Sequence, residues 1–197
     1  MHARLTTRDA TEICLLRKMN IIQAVDPCLL HQLKPGDIFV PCADADRIRD
    51  MIDQHCRYQA EHRVGARAHL LSLNGGALRI VNDPEFGGAA IMQDIADTLR
   101  LVKTDMHHVS LCGHTPCGKY PLAPNETVRT LATAKISLRS YLEAQGLENI
   151  AIQCFYHVDH GNACAEAERF RTYRVNIDAT IHMPQFVHHG QKALIDV

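Results

Sequence analysis

The sequence has no long apolar run and almost no excess of charge of one sign. No stretch of about 18 apolar residues occurs, so we expect no membrane-spanning helix. A formal net charge of −1 gives the chain no electrostatic attraction to nucleic acid or to an anionic membrane. Residues 1–7 are polar, unlike a signal peptide. We therefore expect a cytoplasmic protein that binds neither nucleic acid nor a membrane.

A phosphate-binding loop is also missing. Gly75 and Gly76 follow a predicted strand, but neither a GxGxxG pattern nor a P-loop surrounds them, which argues against nucleotide binding. Cysteine, by contrast, is abundant, with eight residues in a chain of 197. Without a secretory signal, this content favours free thiols and metal binding over disulfides.

Alternating helical and strand patterns predict one α/β domain that spans residues 1–197. The predicted sheet is largely parallel, has four or five strands and is flanked by helices, and an amphipathic stretch ahead of its first strand forms an N-terminal helical arm. Strands are predicted at 38–42, 70–73, 107–112 and 150–156, with a further edge strand at 170–177. Helices are predicted at 8–33, from the Asp44 cap through Cys56, at 87–103 and 125–145, and weakly at 183–197.

Two separated motifs carry cysteine and histidine at the ends of predicted strands. His114 and Cys117 are spaced i, i+3 after the run 107–112, so both can face one cation from a tight turn or a helix start. Cys42 closes the apolar run 37–41 in the same way. Because the carboxyl ends of parallel strands meet at one edge of a sheet, these three side chains are expected to meet there. Two thiolates and one imidazole suit zinc.

A catalytic zinc site needs a fourth, exchangeable position. Asp44, two residues after Cys42, is the nearest candidate to occupy or control it.

The motifs resemble those of the β-class carbonic anhydrases. Cys42-Ala43-Asp44 matches the start of that family's Cys-x-Asp-Ser-Arg, and Gly113-His114-Thr115-Pro116-Cys117-Gly118 matches its Gly-His-x-x-Cys-Gly. The resemblance covers about residues 37–160. It implies a zinc ion on Cys42, His114 and Cys117, and a homodimer or larger homo-oligomer in which N-terminal helices reach over the partner. A helix packed on its own domain is an equally good interpretation of that stretch.

The implied activity is hydration of carbon dioxide to bicarbonate by a zinc-bound hydroxide. Carbonyl sulfide and carbon disulfide hydrolases share the scaffold, so either molecule is an alternative substrate. Asp44 would be the catalytic hydrogen-bond acceptor for the hydroxide.

One departure from the family pattern affects Asp44. The family's arginine, two residues after the aspartate, is replaced by Asp46, and Arg47 and Arg49 are the nearest possible substitutes. In the family that arginine holds the aspartate off the metal through a charge-assisted pair. The replacement therefore also allows a non-catalytic relative with Asp44 as fourth zinc ligand. A redox or sulfur-metabolism protein with clustered thiols is a weaker third hypothesis.

Three further groups of cysteine and histidine have simpler interpretations. Cys56 near His55 or His62, and Cys112 within its apolar run, are more typical of core cysteines. The residues from His157 to His160, together with Cys164, could form a second zinc site. They also resemble a structural turn of the family, and we favour that interpretation.

Overall fold

The computed structural model describes residues 5–24, 37–44, 47–53, 69–101, 108–161 and 169–182. Its helices and strands are as follows: α1 (Thr7–Lys18), β1 (Ile22–Ala24), β2 (Asp37–Val40), α2 (48–53), β3 (His69–Leu70), α3 (Arg79–Asn82), α4 (Ala89–Leu101), β4 (His108–Thr115), α5 (Pro124–Ala144), β5 (Ala151–Asp159), β6 (Phe170–Val175) and α6 (Ile177–Ile181). A 3₁₀ turn at Gly76–Leu78 and a π turn at Pro84–Gly88 flank α3.

The strands form one mixed sheet in the order β1-β6-β5-β4-β2-β3. The four strands β3, β2, β4 and β5 are parallel, whereas β6 runs antiparallel to both β5 and β1. The predicted α/β class with a largely parallel sheet flanked by helices is confirmed. The predicted number of four or five strands is too low, because the described residues alone form a sheet of six strands.

The additional strand comes from a segment that was predicted to be helical. Helix α1 ends at Lys18, and Ile22 then pairs with Val175 of β6. Pairing with a distant strand has overridden the helical spacing of the apolar residues here. The same pairing places β6 inside the sheet, between β5 and β1, instead of at the predicted edge.

Helix α1 packs against the core of its own chain. The Thr6 hydroxyl accepts a hydrogen bond from the Asp9 backbone N–H, and the Asp9 carboxylate accepts one from the Thr6 N–H, which together fix the start of the helix. Ile13 and Leu16 are buried in the main core cluster. The rest of the predicted arm, residues 25–33, lies outside the described residues.

The two faces of the sheet bury different side chains because successive strand residues point to opposite sides. Val109 and Leu111 belong to the large apolar core, which also receives side chains from α1, α4 and α5. Cys112 and Phe155 belong to a smaller cluster on the other face, together with Met51 of α2. This smaller cluster contains the candidate functional residues.

The long helices follow the predicted positions. Helices α4 and α5 lie within or close to the predicted ranges 87–103 and 125–145. Among the described helices, none combines the length and the apolar character needed to cross a bilayer. The predicted tail helix at 183–197 and the Cys56 group lie outside the described residues.

Candidate metal centre

The end of β2 and the end of β4 are brought side by side by parallel pairing. Strand β2 pairs with β4 from Asp37↔His108 to Val40↔Leu111, and Cys42 follows two residues later as a bridge to Leu73. Strand β4 is longer than predicted, because its pairing with β5 continues through His114↔His157 to Thr115. His114 therefore projects from a regular strand, and Cys117 lies just beyond it.

The structure brings the three predicted ligands together. The sulfur atoms of Cys42 and Cys117 and a ring nitrogen of His114 all lie within 4.8 Å of one another. All three side chains are buried, with exposed fractions of 2%, 4% and 1% respectively. The group could hold a metal ion, and it is the one such cluster found among the described residues.

The chemistry of the donors fits a zinc ion. Both ring nitrogens of His114 are buried and lack a hydrogen-bond partner within the described part of the chain. Leaving buried polar atoms unsatisfied costs about 1–3 kcal/mol each, and a metal on one nitrogen would remove part of that cost. Two thiolates and an imidazole are the donor types of tetrahedral zinc sites.

The two cysteine sulfurs affect each other's ionisation. Their mutual hydrogen-bonding interaction is the largest cause that lowers the pKa of Cys117 and raises that of Cys42. A divalent cation bound by both sulfurs would favour the thiolate form of each.

A turn that contains Gly75 and Gly76 packs directly against Cys42. The backbone N–H of Gly75 donates a hydrogen bond to the Cys42 sulfur at 3.1 Å. Gly76 has a φ of +48°, and a Cβ atom there would lie 2.5 Å from the Cys42 backbone nitrogen. This turn therefore contacts the candidate ligand directly, and glycine is needed for that contact.

Asp44 lies beside the cluster but is not among its three mutually close donors. Its Oδ2 is 4.0 Å from Nε2 of His114, and its side chain is 24% exposed. Its backbone carbonyl accepts hydrogen bonds from the N–H groups of Arg47 and Ile48, which start α2. Asp44 is thus positioned near His114 by the beginning of that helix.

The two arginines proposed as substitutes have different positions. Arg47 is only 11% exposed, and its Nη2 lies 2.5 Å from Oδ2 of Asp159 on β5. Arg49 is 87% exposed and lies 3.8 Å from Asp53. Of the two arginines, Arg47 therefore faces the sheet. Asp46 lies outside the described residues.

Asp159 is an ion-pair residue in the described structure. Burial by itself would raise its pKa, but hydrogen bonds from Arg169 and the Gly161 N–H, with the charge of Arg47, lower the pKa overall. Nε2 of His160 lies 3.3 Å from the Tyr173 hydroxyl. The described members of the possible second zinc site thus have other partners, while Cys164 lies outside the described residues.

Sequence reasoning missed the position of His157. This side chain is completely buried, its Nδ1 lies 3.1 Å from the Thr172 hydroxyl, and it pairs in register with His114. Burial first, and then the charge of His114, lowers its pKa to about 3, so the ring is neutral. The alternation of Phe155, His157 and Asp159 along one strand was the signal that could have placed them on the site's face.

No protein-family model matches the chain, and neither the curated proteins nor the solved structures include a significant match to it.

Proposed function

We propose that this chain binds one zinc ion through Cys42, His114 and Cys117 and hydrates carbon dioxide to bicarbonate. The observation that carries the proposal is the buried cluster of three donor atoms within 4.8 Å, contributed by two separated segments of the sequence. The resemblance of both motifs to the β-class carbonic anhydrases supports the choice of reaction. A zinc ion held there supplies Lewis acidity that lowers the pKa of water towards neutrality.

Asp44 is the proposed catalytic carboxylate. It lies next to His114, partly exposed, and an ionised carboxylate can only accept hydrogen bonds or coordinate a cation. It can therefore orient a water molecule at the open position or fill that position itself. Which of these dominates depends on what else binds the carboxylate.

The charge of Asp46 favours Asp44 on the metal at rest. The family's arginine position is occupied by Asp46, which carries the wrong charge to hold Asp44 away from a metal. We infer that Asp44 would act as a fourth ligand in the zinc-loaded resting protein and would have to leave the metal for reaction.

The corresponding prediction is slow carbon dioxide hydration by the zinc-loaded wild type near neutral pH and faster hydration by Asp46→Arg. A charge-assisted pair with Asp44 is worth about 1.5–3 kcal/mol, so we expect an increase in kcat of about tenfold or more. Stopped-flow measurement with a pH indicator gives both rates. Cys117→Ser provides the metal-free blank.

Vigorous hydration by the wild type, or no gain in Asp46→Arg, would show that Asp44 is not the resting ligand. Hydrolysis of carbonyl sulfide or carbon disulfide without carbon dioxide hydration would favour that alternative reaction on the same site. A zinc-loaded protein inactive on all three molecules in both forms would support the non-catalytic alternative.

We also propose a homodimer formed through the outer face of α1. Leu15 and Met19 are 39% and 38% exposed, whereas Ile13 and Leu16 on the same helix are buried in the core. Contact with a second copy would cover these exposed apolar side chains.

Light scattering is therefore expected to give twice the chain mass for the wild type and a single chain mass for the double variant Leu15→Lys with Met19→Lys. Leu101→Lys, at an 81% exposed position on α4, is the matched control and should remain a dimer. A monomeric wild type would refute the proposal. Surface changes are preferable to deleting α1, since deletion would also remove core residues.

A further inference from the structure

His157 has one ring nitrogen that the described structure leaves unused. The side chain has an exposed fraction of 0%, and Nε2 lacks a hydrogen-bond partner within the described ranges. Buried polar atoms in folded proteins nearly always have a partner, which can be protein, water or a ligand. This nitrogen therefore points to a bound partner that the described residues do not supply.

The strand pairing places His157 directly beside the candidate metal centre. His114 and His157 are opposite each other in the parallel pairing of β4 and β5, so both side chains project from the same face of the sheet. Neighbouring strands lie about 4.8 Å apart, which makes the two histidines adjacent.

The ring orientation indicates which side Nε2 faces. Nδ1 is directed to Thr172 on β6, and the ring stacks with Phe170 at a centroid distance of 6.1 Å and an interplanar angle of 9°. The two ring nitrogens point in nearly opposite directions. Because β6 and β4 lie on opposite sides of β5, Nε2 is directed away from β6 and towards the side of His114.

The nearby carboxylate of Asp159 is an unsuitable partner for Nε2. Its two oxygens already interact with Arg47, Arg169 and the backbone N–H of Gly161. These interactions hold the carboxylate in place and occupy both of its oxygens.

We propose that His157 binds an oxyanion at the metal centre by donating a hydrogen bond from Nε2. In the tautomer in which Nδ1 accepts from the Thr172 hydroxyl, the neutral ring carries its proton on Nε2 and can donate it to an oxygen. The ligand class is a small carbonate-type oxyanion, the product of the proposed hydration, so the inference rests on the proposed function. His157 would thereby distinguish an oxyanion from an anion that only coordinates the metal.

The experiment compares two anions in the cobalt-substituted protein, followed by the visible absorption of cobalt. Bicarbonate offers oxygen acceptors, whereas iodide coordinates the metal but is a poor hydrogen-bond acceptor. His157→Phe keeps an aromatic ring next to Phe170 and removes the donor. We expect its bicarbonate dissociation constant to rise about tenfold, as for the loss of one hydrogen bond to a charged group, while that for iodide changes less than about twofold.

His157→Gln tests the donor itself, since its amide nitrogen can replace Nε2 and should restore bicarbonate binding to within about threefold of the wild type. Unchanged bicarbonate affinity in His157→Phe, or equal weakening of both anions, would overturn the proposal. If His157→Phe does not fold, nitrogen NMR of histidine-labelled wild type decides the question. Bicarbonate is then expected to shift the Nε2 resonance of His157, and an unmoved resonance would refute the contact.

The outcomes separate this inference from the proposed function. A wild type that binds bicarbonate through His157 but does not hydrate carbon dioxide would contradict the reaction and retain the oxyanion site. A wild type that hydrates carbon dioxide while its His157 resonance stays unmoved would contradict the oxyanion site and retain the proposed reaction. Failure to bind cobalt or bicarbonate at all would overturn both.

Discussion

Replacing Cys117 by serine is expected to release the metal. The substitution exchanges a soft anionic sulfur for a neutral hydroxyl in a buried site whose other donors are Cys42 and His114. Loss of an outer partner of a metal ligand already costs about 10–100-fold in affinity, so loss of a ligand should cost more than about 100-fold. Metal analysis after gel filtration should find about one zinc per wild-type chain and almost none in Cys117→Ser.

Cys154→Ser is the matched control for that experiment. Cys154 is equally buried, but it belongs to the main core, and its thiol donates to the Leu131 carbonyl at 3.5 Å. A serine can make the same hydrogen bond, so zinc content should stay at the wild-type level. Full occupancy in Cys117→Ser, or equal loss in both variants, would refute the ligand assignment.

Replacing Gly76 by alanine is expected to disrupt both the turn and the metal site. The new Cβ would lie 2.5 Å from the backbone nitrogen of Cys42 and 2.6 Å from the carbonyl carbon of Pro41. These are backbone atoms, so no side-chain rotation relieves the clash. The positive φ adds about 1–2 kcal/mol of strain to about 1–3 kcal/mol of overpacking. We expect a loss of about 2–5 kcal/mol, a Tm lowered by roughly 10 °C, and weaker metal retention.

Two other glycines separate the cost of the positive φ from the cost of the steric clash. Gly146 has a φ of +71°, and no atom lies within 4 Å of the position that a Cβ would take. Gly146→Ala therefore measures the cost of the positive φ alone. At Gly118 there is neither a positive φ nor a close neighbour, so Gly118→Ala should be nearly neutral. Thermal unfolding of all three variants should place Gly76→Ala well below the others. A Tm equal to that of Gly146→Ala would show that the turn accommodates the added methyl group without displacing Cys42.

Asp46, not an arginine, stands two residues after Asp44, and this is the main chemical question that the sequence raised. The structure separates the two candidate substitutes, because Arg47 is 11% exposed beside Asp159, whereas Arg49 is 87% exposed. Neither position could be read from spacing, since Arg47 lies directly before α2 and Arg49 lies within it, and only the fold decides which of the two faces β5.

The sequence by itself determined the cluster of three donors. Apolar runs that precede Cys42 and His114 predict parallel strands. Parallel strands end at the same edge of a sheet, so these two residues are expected to lie close together. The Cys-x-Asp and His-x-x-Cys spacings then select the donors. The α/β class followed from the same alternation of helices and strands.

Only the tertiary structure decided which residues surround that cluster. Residues 22–24 are a strand because β6 offers a partner, which the apolar spacing of the segment does not encode. His157 lies beside His114 because the register of β4 and β5 pairs them across 43 positions of sequence. Arg47, which directly precedes α2, reaches Asp159 of β5. Such contacts join distant segments, and their free energy depends on burial and pairing geometry that no local stretch of sequence contains.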